Sequence, residues 1–164
     1  MHVKVIQELG IPAAEAWKLM ADFNNIQHVH PMVVSVDQLG SKERGVGAIR
    51  KCNFYDGGSI QERVTLWDDQ NMKYQIQFMN GTLPLNSNTT SMIVEEVDSA
   101  NCRMICDVEY DPKYGLIGKI MAILFLNRKF GSILGDMLAG VQYYAENHED
   151  VPEGWKAPTR ATVV

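Results

Sequence analysis

The chain has 164 residues, 46% hydrophobic and 21% charged with six prolines, a composition that builds one globular domain with a sizeable core or an enclosed cavity and excludes a disordered or fibrous polymer. Fifteen Lys and Arg against twenty Asp and Glu leave a net charge of −5 with no basic run, which counts against nucleic acid and anionic membrane surfaces as partners. Cys52, Cys102 and Cys106 lack metal-ligand spacing and suit buried thiols, no secretion signal opens the chain, and the longest apolar run, Ile120 to Leu126, falls far short of the roughly 20 residues of a membrane span, so a cytoplasmic protein without a membrane span is expected.

His2 to Leu9 alternates as a first strand, which Gly10 and Pro12 end. Pro12 then opens a helix, because a first-turn residue needs no amide donor, and Ala13, Ala16, Trp17 and Met20 follow at helical spacing. Asn24 to Pro31 reads as irregular before Val33, Val34 and Val36. Four period-two segments come next: Ala48 to Tyr55, Ile60 to Trp67, Met72 to Met79 and Thr89 to Val97. Compact turns rich in Asp, Asn and Gly join the first three of them, at 56–59 and 68–71 with a third at 80–82, which predicts antiparallel hairpins. Cys102 to Tyr110 is the last strand. The stretch from Gly115 to Leu126 is apolar at helical spacing, but Asn127, Arg128 and Lys129 break the stripe and make it a separate or kinked segment. Phe130, Ile133, Leu134, Met137, Leu138, Val141 and Tyr144 then form the strongest helical stripe in the chain. Residues 1–146 form the domain, and 147–164, with Pro152, Gly154 and Pro158 among charged residues, read as a polar, loosely ordered tail.

The alternation also assigns faces. Ile60, Glu62, Val64 and Leu66 share one face of their strand; Tyr74, Ile76 and Phe78 share one face of the next; Arg50, Cys52 and Phe54 face inward, as do Met104, Cys106, Val108 and Tyr110. Arg50 and Glu62 are therefore inward charges. An unpaired ionised group in an apolar interior costs several kcal/mol, so the two either pair with each other, reach water or meet a polar group on a ligand. Polar groups converging among Tyr, Phe, Ile and Met are the usual lining of a small-molecule site.

At this point the chain resembles the helix-grip superfamily of START-like lipid-transfer domains, birch-pollen-allergen-type proteins, bacterial polyketide cyclase/dehydrase-like proteins and plant abscisic acid receptors. The carrying residues are Pro12, Ala16, Trp17, Met20, Asp22, Phe23, His30 and Pro31 for the short paired helices, and Gly45 to Arg50 for a "G-x-G-x-x-R" strand entry. Glu62, Arg63 and Val64 before Asp68 and Asp69, Leu83 to Leu85 as a loop beside the cavity mouth, and Ala139 to Glu146 at the close of the last helix complete the match. The resemblance implies an α+β fold, a curved antiparallel sheet of about seven strands around a long C-terminal helix with two short helices after the first strand. It also implies a hydrophobic cavity lined by Phe54, Glu62, Ile76, Phe78, Leu85, Ile133 and Met137, with 56–59 as a gate-like loop. Arg50, Tyr74 and Tyr110 complete the ligand-binding set. Where the plant receptors pair a lysine with their hormone's carboxylate this chain has Val29, which argues against hormone sensing of that kind.

The expected function is binding of a small hydrophobic molecule, a lipid, sterol-like or aromatic polyketide-like compound. The alternative is a polyketide cyclase, dehydratase or aromatase in which Glu62, Arg50, Tyr74 or His30 moves protons in the same cavity. A third reading is an interaction adaptor with a vestigial cavity, whose ridge of Gly131, Gly135 and Ala139 packs on the sheet or on a partner. His28 and His30 without a third ligand make no metal site, and the glycines at 45 and 47 lack the third glycine of a phosphate cradle, so neither metal nor cofactor is expected. The protein is expected to be a monomer or a homodimer.

Overall fold

The computed structural model describes residues 1–121 and 127–164. Eight strands form one antiparallel sheet: β1 (His2–Leu9), β2 (Val33–Leu39), β3 (Ile49–Phe54), β4 (Ser59–Asp68), β5 (Lys73–Gly81), β6 (Leu85–Glu96), β7 (Cys102–Pro112) and β8 (Thr162–Val163), in the spatial order β2-β3-β4-β5-β6-β7-β1-β8. Helix α1 (Ala13–Ala21) and the short α2 (Ile26–Val29) follow β1, α3 (Gly115–Met121) follows β7, and α4 (Asn127–Asn147) lies across β1. The expected α+β class, the hairpins and the long helix are all present. Residues 122–126 of the expected Gly115 to Leu126 segment lie outside the described residues.

The helix α4 forms because its apolar residues recur on one side; Met137, Leu138 and Val141 are buried, at roughly 2 kcal/mol for each side chain removed from water. Gly140 lets it press on α2. A Cβ there would stand 2.1 Å from the Val29 carbonyl oxygen, so only glycine permits this approach.

Four expectations change. The stretch read as irregular folds into a 3-10 turn, Phe23–Asn25, and α2, which are too short to show a helical period. Strand β6 starts at Leu85 rather than Thr89, because Asn86 and Asn88 carry no hydrophobic alternation although their backbone pairs with β7. Leu85 is therefore a buried strand residue, not part of a loop at a cavity mouth. Leu66 is 40% exposed, since a bulge between Val64 and Leu66 shifts the register and turns the strand's two faces over.

The fourth change concerns 147–164, which docks along the molecule. The Val151 and Gly154 amides donate to the carbonyls of His28 and Pro31, both at 2.9 Å, and Val164 exchanges two backbone bonds with Lys4. Thr162 and Val163 add β8 beside β1, the strand beyond the seven expected. The small-residue ridge of α4 receives this tail. Cβ atoms added at Gly131 and Gly135 would each come within 2.8 Å of Val163 and Ala161 side chains respectively. Composition suggested disorder because the tail buries little by itself; Val151 and a series of backbone bonds anchor it on a surface supplied by the rest of the chain.

Candidate functional site

The two inward charges meet. Arg50 and Glu62 are direct cross-strand partners on β3 and β4, and the Arg50 Nε and Nη2 lie 2.9 and 2.8 Å from Glu62 Oε2. The Nη1 group donates to the Phe23 carbonyl, and the guanidinium sits 4.1 Å over the Phe23 ring. The arginine therefore ties the 3-10 turn to the inner face of the sheet. Around it Trp17, Trp67, Tyr74 and Phe23 pack ring against ring, with Trp67 and Tyr74 stacked at 5.3 Å and Phe23 edge-on to Tyr74 at 6.1 Å. Burial pushes the Tyr74 phenol up and Cys52 up to about 12, so both stay protonated at neutral pH. This end of the sheet is closed by packing.

The other end is open. A cleft of about 420 Å³ lies between the turn after β3, the first half of α4 and the docked tail, lined by Pro31, Met32, Tyr55, Asp56, Lys129, Ser132, Ile133, Glu153, Gly154 and Lys156. Its volume is that of small-molecule sites, and its wall joins apolar residues to a rim of two lysines and two carboxylates. Each element has a local reason to be there. Asp56 accepts the Gly58 amide at 2.9 Å and Gly57 takes a φ of 84°, which fixes the hairpin carrying Tyr55 and Asp56. The tail wall is held by Asp136, a buried carboxylate on α4 that accepts from Lys156 Nζ at 2.8 Å and from the Ala157 amide at 3.0 Å.

His30 stands next to the cleft residues Pro31 and Met32. Its Nδ1 accepts the Met32 amide at 3.1 Å, and burial, with the Arg50 charge adding to it, holds the imidazole down at about 4. At neutral pH the ring is neutral with a proton on Nε2, a hydrogen-bond donor rather than a base. His28 points elsewhere: it pairs with Asp150 at 2.7 Å and stacks on Tyr144.

The sheet, the grip helix and the order of elements agree with a family profile described as "Polyketide cyclase / dehydrase and lipid transport", which matches residues 1–146. The chain belongs to this polyketide cyclase/dehydrase and lipid-transport family. Among solved structures, XoxI from Bacillus cereus is 20% identical with a TM-score of 0.73, covering 90% of this chain and 96% of that one. Norcoclaurine synthase from Thalictrum flavum is 17% identical with a TM-score of 0.69, covering 90% and 87%. The di-domain ARO/CYC BexL from the BE-7585A biosynthetic pathway is 17% identical with a TM-score of 0.71, covering 89% of this chain and 46% of that one. At these identities the likeness is one of fold, and it establishes the helix-grip architecture. No curated protein matches the sequence.

Within this family member, Ile133 is the sequence-predicted lining residue that reaches the cleft, and Asp56 the one residue of the expected gate loop. Arg50, Glu62 and Tyr74 are gathered at the closed end. Ile76, Leu85, Tyr110 and Met137 are buried core, Phe54 is half-buried against it, Phe78 is half-buried, and the Tyr110 hydroxyl donates to Asn127 at the start of α4. Sequence reasoning missed Met32, Tyr55, Lys129, Ser132, Glu153 and Lys156. Lys129, Ser132 and Ile133 do sit one helical turn apart on α4, a usable signal; the tail residues had none, because their position depends on a docking surface.

Proposed function

We propose that the protein binds a small molecule with an apolar body and a polar end in the cleft beside α4. The observation that carries the reading is the cleft itself, with Met32, Tyr55 and Ile133 as apolar wall and Lys129, Asp56, Glu153 and Lys156 at its rim. The family's description, which names lipid transport beside cyclase and dehydrase activity, supports an apolar ligand of lipid or polyketide-like character. Three buried free thiols suit a reducing compartment such as the cytoplasm.

Binding is favoured over catalysis by the placement of the proton-transfer candidates. Glu62 and Arg50 satisfy each other, the phenol of Tyr74 is sealed in an aromatic cluster, and His30 has its acceptor nitrogen occupied. Native mass spectrometry of the freshly purified chain tests the proposal. A copurified small molecule on the unaltered protein that is absent from Ile133→Trp is expected; a molecule retained at equal occupancy by Ile133→Trp contradicts the assignment to this cleft.

A further inference from the structure

Strand β7 ends in an unusual connection. Tyr114 and Gly115 are both in the left-handed region, with φ of 71° and 55°, and they swing the chain into α3. On that helix and at the residue before it, apolar side chains face solvent: Tyr114 is 77% exposed, Leu116 74%, Ile117 72% and Ile120 49%. Contiguous apolar surface of this kind marks an interaction site.

Charge identifies the occupant. From Pro112 to Gly135 the chain holds Lys113, Lys119, Arg128 and Lys129 and no acidic residue, within a protein of net charge −5. All four cations are exposed. A whole-chain charge hides this segregation. We infer that Tyr114 and α3 form an interfacial anchor that docks on an anionic phospholipid bilayer, the exposed apolar side chains entering the headgroup boundary and Lys113 and Lys119 meeting lipid phosphates. A second copy of the chain fits the same face poorly, because a two-fold contact would set Lys113 and Lys119 of one copy against those of the other.

The test is co-sedimentation of the full chain with vesicles of phosphatidylcholine and phosphatidylglycerol in equal parts, against vesicles of phosphatidylcholine alone. The protein is expected to partition at least about tenfold more strongly to the anionic vesicles and to be released by high salt. Leu116→Ser with Ile117→Ser abolishes binding, and Lys113→Glu with Lys119→Glu weakens it at least about tenfold, both with an unchanged circular dichroism spectrum because these side chains are exposed. Equal binding to both vesicle types, or binding that survives both double substitutions, overturns the inference. So does a dimer in sedimentation velocity that Leu116→Ser with Ile117→Ser dissolves while vesicles bind neither form. None of the four substituted residues lines the cleft, so a failure here is separable from a failure of the ligand-binding proposal.

Discussion

The two ends of the inner face of the sheet solve different problems with similar residue types. At the closed end Arg50 and Glu62 saturate each other on adjacent strands and the remaining arginine donor goes to the Phe23 carbonyl, so polar groups are consumed in fixing the 3-10 turn against β3 and β4. At the open end Lys129, Asp56 and Glu153 border empty volume, and the one buried carboxylate, Asp136, secures the tail that forms the wall. An inward charge therefore signals function only when its partners are missing. Charges that are complementary across a strand pair are more readily explained as architecture.

Separating the two ends by mutation gives the largest effect first. Glu62→Ala leaves a buried guanidinium without its carboxylate and is expected to destabilise the fold by about 3 to 5 kcal/mol in urea unfolding, whereas Arg50→Met with Glu62→Leu together loses much less. Equal losses for the single and double changes would show that the pair is not a closed unit. Acid is the next lever, through His30. Its ring is held at about 4 in the fold against 6.5 in the unfolded chain, so the unfolded state binds more protons between those values. Stability is complete above about pH 6.5 and is lost as pH falls toward 4, by on the order of 2 to 3 kcal/mol. Unfolding curves at several pH values in that window check this, and His30→Gln should flatten the dependence. Asp68 and Asp98 are held below the usual carboxylate range by hydrogen bonds from Asn71 and Ala100, so what they contribute is present at neutral pH and is lost only at more acidic pH than the His30 window.

At the open end the expected losses are smaller. Asp136→Ala removes the acceptor of Lys156 and of the Ala157 amide and should cost about 1 to 2 kcal/mol, with faster hydrogen exchange at residues 154–164 as the specific readout. Arg44→Ala, which breaks an exposed pair with Asp69 and uncovers the Trp67 ring, should cost under about 1 kcal/mol. An Arg44 effect as large as that of Glu62 would erase the distinction between surface and buried pairing.

How much of this was legible in the sequence follows the range of the forces involved. The period-two runs and the α4 stripe record burial of one face, so strands, helix and the inward positions of Arg50, Glu62 and Tyr74 could be read directly. Leu66 could not, because a bulge is a local exception to the period that creates the signal. The partnership of Arg50 with Glu62 was one of several options until the hairpin register put them opposite each other. The cleft was the least legible part: its residues come from a turn, a helix start and a tail whose polar composition resembles disorder, and they converge only through contacts distant in sequence.

The central claim is that the ligand enters the open end and not the closed one. Titration of the full chain with the amphiphilic fluorescent dye 1-anilinonaphthalene-8-sulfonate, repeated on Ile133→Trp and Tyr74→Phe, tests it most directly. The account predicts saturable binding that Ile133→Trp weakens at least about tenfold by filling the cleft, while Tyr74→Phe, which keeps the ring packing, leaves it unchanged. Affinity that falls with Tyr74→Phe and withstands Ile133→Trp would contradict it.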